Sequence, residues 1–94
     1  MSIEFQVIED PNREINRFKV KVRIPVNETQ TVPAVMRYMR SMEMKQDFVR
    51  DWATRKAPNH AVEAVGGPIP VYKDGVRDEG VEAYEQTYRL SQLL

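Results

Sequence analysis

The chain of 94 residues contains no cysteine, so disulfide frameworks, thiolate zinc sites and cysteine nucleophiles are excluded together. No apolar run approaches the roughly 18 residues that a membrane-spanning helix needs. The N-terminal residues lack a basic stretch followed by an apolar one, so no secretory signal is visible. From these absences we expect an intracellular, cytoplasmic protein without a membrane partner.

An excess of either charge is also missing. Lys and Arg number 14 and Asp and Glu number 14, which gives a formal net charge of zero, whereas a protein that coats nucleic acid is usually strongly basic. The balance is uneven along the chain, because residues 17–56 carry ten basic and four acidic side chains and the other 54 residues carry four and ten. A local basic site therefore stays open, provided that the acidic C-terminal part does not cover it.

The length and composition predict one small domain over residues 1–94, of the α+β class. Alternating apolar residues predict two strands within residues 3–24, paired as an antiparallel hairpin. In the second strand the apolar residues fall on one face and four basic residues on the other. Residues 69–72 could add a short third strand, at an edge of the sheet because prolines disfavour a central position.

Residues 33–56 predict one long central helix that packs against the hairpin. Pro33 suits the first turn of this helix, and no glycine or proline follows until Pro58. At about 100° per residue, one stripe collects the expected core residues, which are Val35, Tyr38, Met39, Met42, Val49, Trp52 and Ala53.

The part of the chain after this helix gives weaker patterns. Residues 57–70 contain Gly66-Gly67-Pro68 and predict a loop or hinge. Residues 78–94 predict a shorter C-terminal helix and tail, with Asp78 as its N-cap. The predicted fold is therefore a hairpin of two to three strands, one long central helix and a shorter C-terminal helix.

Residues that could carry catalysis or bind a metal are few. The only histidine, His60, could act as a general base near neutral pH, but no cysteine and no nearby serine offers it a nucleophile. Asp74, Asp78 and Glu79 lie close together without the ligand spacing of a calcium loop. We therefore predict that the protein is not an enzyme, with no catalytic residue, no metal site and no cofactor.

One face of the predicted long helix carries an unexpected apolar pair, Met44 and Phe48, opposite the core stripe. Methionine, aromatic residues and arginine are enriched at the centres of protein interfaces. Two structural explanations compete with an interface: the helix packs on both sides within its own domain, or its helical phase drifts. The first functional hypothesis is a non-catalytic protein-binding module, a regulatory, inhibitory or accessory subunit that binds another protein or forms a homodimer. Its binding residues would be Arg37, Arg40, Met44, Phe48 and Arg55.

The basic face of the second strand supports an alternative hypothesis. Its side chains repeat at about 6.6–6.8 Å, which is close to one nucleotide step of an extended strand. Phe18 points to the other face, so no aromatic ring is placed there to stack on bases. A solvated face, a surface for an anionic protein and a nucleic-acid site all stay open. The alternative function is nucleic-acid binding through Arg17, Lys19, Lys21 and Arg23, together with arginines of the helix.

Overall fold

The structure is a computed structural model, and it describes residues 3–93. Four strands form one antiparallel sheet in the order β1-β2-β4-β3. Their bounds are Gln6–Glu9 for β1, Arg17–Pro25 for β2, His60–Tyr72 for β3 and Val81–Gln92 for β4.

Two helices between β2 and β3 pack on one face of this sheet. Helix α1 is Val32–Arg40 and helix α2 is Met42–Phe48. Helix α2 continues into a π-helical turn, Val49–Ala53, and a last α-helical turn, Thr54–Lys56. Neither helix is long and apolar enough to cross a membrane, over the residues that the structure describes.

The antiparallel hairpin at the N-terminus is present, with β1 paired to β2 from Gln6 opposite Arg23 to Glu9 opposite Val20. Strand β2 alternates strictly along most of its length, because every second side chain is buried. The buried set lies under the helices and consists of Phe18, Val20, Val22 and Ile24. Period-2 burial of this kind is what one covered face of a sheet requires.

The prediction of one long central helix over residues 33–56 is wrong, because the chain breaks at Ser41. This residue is extended, with φ −88° and ψ 159°, and it ends α1. Its backbone N–H and its hydroxyl both donate to the carbonyl of Tyr38, at 3.0 and 2.7 Å. Serine competes for backbone hydrogen bonds in this way and favours helix ends. The break could not be predicted from glycine or proline, because neither residue occurs near Ser41.

The break changes which helical residues face the sheet. The buried ones are Val35, Met39, Met44, Phe48 and Ala53, followed by Ala57 just after the last turn, at steps that alternate between four and five residues. In a straight helix Met44 would lie about half a turn from Val35. The break at Ser41 and the extra residue that a π-helical turn accommodates each rotate the next pair back toward the sheet. Met44 and Phe48 are therefore 1% and 0% exposed, and not on an outer face as predicted.

The predicted C-terminal helix over residues 78–94 is also wrong, because residues 81–92 form the central strand β4. Tyr84 and Tyr88 are four residues apart, a spacing that puts two side chains on one face in a helix and in a strand alike. Between them Gln86 occupies a buried position although it is polar, which hides the alternation of the strand. Leu94, the last residue of the prediction, lies outside the described residues.

The prediction of a loop or hinge over residues 57–70 is wrong for residues 60–70, which belong to the edge strand β3. Val65 pairs with Thr87 and Ile69 pairs with Glu85, so residues 66–68 oppose Gln86 alone and form a bulge. Gln86 donates from Nε2 to the Gly66 carbonyl at 3.0 Å. Gly66 has φ +72°, a conformation that favours glycine. Glycine and proline are typical of linkers, but here they form a bulge in a strand at the edge of the sheet. Proline is tolerated at such an edge.

An aromatic stack ties α2 to the sheet at the centre of the core. The ring of Phe48 lies parallel to the ring of Tyr88 of β4, with centroids 5.0 Å apart, and stacks on Trp52 at 5.5 Å. Offset aromatic pairs add stability beyond the apolar area that they bury. The second helix is therefore held on the sheet by the residue that sequence reasoning placed on the outside.

A polar clamp joins the two helices across the break. The Tyr38 hydroxyl donates to Oδ2 of Asp47 at 2.6 Å, and Arg50 donates to Oδ1 of the same carboxylate at 2.7 Å. Partial burial, and then the hydrogen bond to Asp47, raise the pKa of Tyr38 above its ordinary value. The clamp therefore depends on a protonated tyrosine.

Two methionines that are only two residues apart test the phase of α2. Met44→Ala should lower the free energy of unfolding by about 2–5 kcal/mol, the usual cost of emptying a buried site. The control Met42→Ala removes a side chain that is 77% exposed and should change stability by about 0.5 kcal/mol at most. Urea unfolding of the three proteins measures the difference. Equal stability of the two variants would contradict the observed phase.

The Tyr38 clamp predicts a loss of stability in alkali. The unfolded chain ionises this tyrosine near its ordinary pKa of about 10, whereas the folded protein keeps the proton to higher pH. The contribution of Tyr38 is therefore complete below pH 10 and is lost as pH rises above it. In urea unfolding between pH 8 and 11, Tyr38→Phe should reduce the alkaline decline, and the control Tyr72→Phe should keep it. An unchanged decline in Tyr38→Phe would contradict the clamp.

Candidate functional site

The helices cover one face of the sheet, and among residues 3–93 no element covers the other. We call this second side the open face. Antiparallel sheets commonly bury one face and leave the other in water. Because residues directly opposite each other on neighbouring strands share a face, the strand register arranges the open-face side chains in rows across the sheet.

The middle row runs across all four strands and has an apolar residue at each end. Its members, in order, are Ile8, Lys21, Thr87 and Val65. Ile8 is 46% exposed and Val65 is 37% exposed. A shallow groove of about 510 Å³ lies along this row and extends to Lys19 and Glu85, with Glu9 and Asp10 among the residues that line it. The row therefore combines exposed aliphatic groups with a polar centre.

The next row places two like charges side by side. Lys19 lies directly opposite Arg89, and Arg89 lies opposite Glu63. Arg89 pairs with Glu63 at 2.6 Å, and this contact lowers the pKa of the Glu63 carboxyl and raises that of Arg89. Like charges directly opposite each other destabilise a sheet. Lys19 thus lies beside Arg89, whose carboxylate partner Glu63 is on the opposite side of Arg89 from Lys19.

On the other side of the middle row, charges of the open face are largely neutralised. Arg23 reaches Glu82 at 3.3 Å and Glu85 at 3.7 Å, and Ile69 lies beyond Glu85 with 63% of its surface exposed. These carboxylates belong to the acidic C-terminal part of the chain, which therefore neutralises one end of the basic strand without covering its middle.

Of the four basic residues predicted on β2, two have carboxylate partners. Arg17 pairs with Glu14, and Arg23 pairs as described. Lys19 and Lys21 make no ion pair with any residue between 3 and 93. The positive charge that is not neutralised on the open face is thus concentrated at two neighbouring positions of one strand.

The predicted helix-face site is not brought together as a surface. Met44 and Phe48 lie in the core between the helices and the sheet. The remaining members, Arg37, Arg40 and Arg55, are exposed on the helical layer. The two apolar anchors face inward from α2, whereas the arginines are exposed on α1 and on the last α-helical turn.

Five residues of the candidate site on the open face were not predicted, because their neighbours across the sheet cannot be known before the strands pair. They are Ile8, Val65, Ile69, Thr87 and Arg89, and two of the strands that carry them were expected to be a loop and a helix. The signal available in the sequence was the alternation of apolar and polar residues along β4, which matches its alternation of buried and exposed side chains. The polar Gln86 at a buried position obscured it.

His60 begins β3 and contacts the backbone and the core. Its Nδ1 lies 2.9 Å from the carbonyl oxygen of Pro58, and its ring meets the ring of Phe18 edge-on, with centroids 5.7 Å apart. Within the described part of the chain no group of three or more acidic or histidine side chains is placed to hold a metal ion.

Comparison of the chain with protein-family models, with curated proteins and with solved structures finds no match. The candidate site is therefore defined by this chain's own geometry. It consists of the middle row, Lys19 and Arg89 beside it, and the exposed Ile69.

Proposed function

We propose that this chain is a non-catalytic protein-binding module, a regulatory, inhibitory or accessory subunit, whose partner binds on the open face of the sheet. The observation that carries the proposal is that Lys19 and Lys21, which lack an ion pair among residues 3–93, line the same groove as the exposed Ile8 and Val65. Protein interfaces combine apolar contacts with polar and charged ones.

The function is the one inferred from the sequence, but the binding surface is the open face of the sheet and not the helical face. The helical layer offers arginines without Met44 and Phe48, which are buried. The open face offers exposed aliphatic side chains, Ile8, Val65 and Ile69, within two adjacent rows. A partner on this face would cover apolar surface and would supply anionic groups to the two lysines at the same time.

Features of the open face favour a protein over nucleic acid as the partner. No aromatic side chain lies in the rows that carry Lys19, Lys21 and Arg23, so the stacking contacts typical of single-strand binders are absent from them. Glu63 and Glu85 lie within the same rows and would repel a phosphate backbone. A mixed surface of this kind suits a partner that also has both charged and apolar groups.

Affinity capture with two matched double variants tests the proposal. Lys21→Glu with Val65→Glu reverses one charge and removes one apolar group on the open face, and Arg40→Glu with Met42→Glu does the same on the helical layer. A protein captured from native lysate should bind the first variant at least about fivefold more weakly, the effect of losing about 1 kcal/mol at an interface. It should bind the second variant as it binds the wild type.

Three results would contradict the proposal. In the first, only the helical-layer variant loses the captured protein, and in the second both variants keep it. In the third, the captured material disappears on nuclease treatment, which would favour the nucleic-acid hypothesis. Sedimentation velocity of the pure chain and of both variants detects a homodimer and shows which surface forms it. Circular dichroism confirms that both variants fold.

A further inference from the structure

Building on the proposed function, we infer that the partner presents an extended acidic segment with carboxylates on alternate residues. Two of these carboxylates form ion pairs with Lys19 and Lys21. The inference names the chemistry and the shape of the partner. It depends on the spacing of the two lysines, on the charges around them and on the apolar ends of the middle row.

The spacing matches an extended chain that lies along β2. Lys19 and Lys21 alternate on one strand, so their side chains repeat at about 6.6–6.8 Å. An extended peptide repeats its own side chains at the same interval on one side, which places residues i and i+2 over the two lysines. The centre of the middle row, Lys21 and Thr87, offers no apolar seat for the stripe of an amphipathic helix.

Like-charge repulsion adds a reason for an anion at this place. Lys19 lies opposite Arg89, whose carboxylate partner Glu63 is on the next strand. A carboxylate above Lys19 would offset the repulsion further, because in the free protein Glu63 and Glu14 offset it from the side of Arg89 and no carboxylate forms an ion pair with Lys19 among residues 3–93. The second carboxylate would meet Lys21, with Ile8 beside it as an apolar contact.

The surrounding acidic residues limit how much negative charge the partner can carry. Glu9 and Asp10 line the groove beside the lysines, and Glu85 lies in the adjacent row. A polyanion with a negative charge on every residue or nucleotide would be attracted by the lysines and repelled by these carboxylates. A peptide with two carboxylates on one side would meet the lysines alone, and unpaired like charges are an effective way to reject a wrong partner.

Two peptides of identical composition test the spacing. Each is a ten-residue Thr/Val peptide with two glutamates, at i and i+2 in the first and at i and i+1 in the second, so that only the first can direct both to one side. Titration of the ¹⁵N-labelled chain should show two- to fivefold tighter binding of the first, the range for one exposed ion pair. The amide signals of Lys19, Lys21 and Thr87 should shift.

A matched pair of variants assigns the effect to the two lysines. Lys19→Gln with Lys21→Gln should remove the difference between the peptides, and Lys56→Gln with Lys73→Gln, which also removes two positive charges, should keep it. Equal binding of the two peptides to the wild type overturns the inference. So does tighter binding of a single-stranded deoxythymidine decamer than of the first peptide.

The outcomes separate this inference from the proposed function. If the peptides bind equally while the captured protein still requires the open face, the inference fails and the proposed function stands. If the open-face variant keeps its captured protein, the proposed function fails and the inference fails with it.

Discussion

Three pairs of residues in and just after the helical segment must face the same side of one sheet, and most of the structure follows from this constraint. The pairs begin at Val35, Met44 and Ala53, and each pair has a spacing of four residues. A straight helix cannot direct all three to one side, because successive pairs are nine residues apart, or about half a turn out of phase. The break at Ser41 and the π-helical turn each restore the phase.

Satisfying that constraint directs the buried apolar residues of both helices to one side of the sheet. The aromatic stack of Phe48 on Tyr88 lies at the centre of this side, and the alternating residues of β2 complete it. Nothing among residues 3–93 is left to cover the other side, so the open face is a consequence of how the core closes. Its unpaired lysines and exposed aliphatic groups are the surface features from which the function is argued.

Period-2 alternation made β2 and its hairpin predictable, because every second residue from Phe18 to Ile24 is apolar. The rest required long-range information. Tyr84 and Tyr88 fit a helix as well as a strand, and Gly66-Gly67-Pro68 fits a linker as well as a bulge. The basic face of β2 was predictable residue by residue. Its neighbours Thr87 and Arg89 were not, because a row across a sheet exists only once strands pair. The unexpected positions of Met44 and Phe48 were a sign that the helical phase drifts, the second of the two structural explanations for this pair.

The central claim is that a protein partner binds on the open face, and methyl NMR of the complex with the captured protein tests it most directly. With isoleucine, valine and methionine methyl groups labelled, the account predicts that the signals of Ile8, Val65 and Ile69 shift on binding. The signal of Met42, which is exposed on the helical layer, should stay in place. A shift of Met42 with Ile8 and Val65 unchanged would contradict the account.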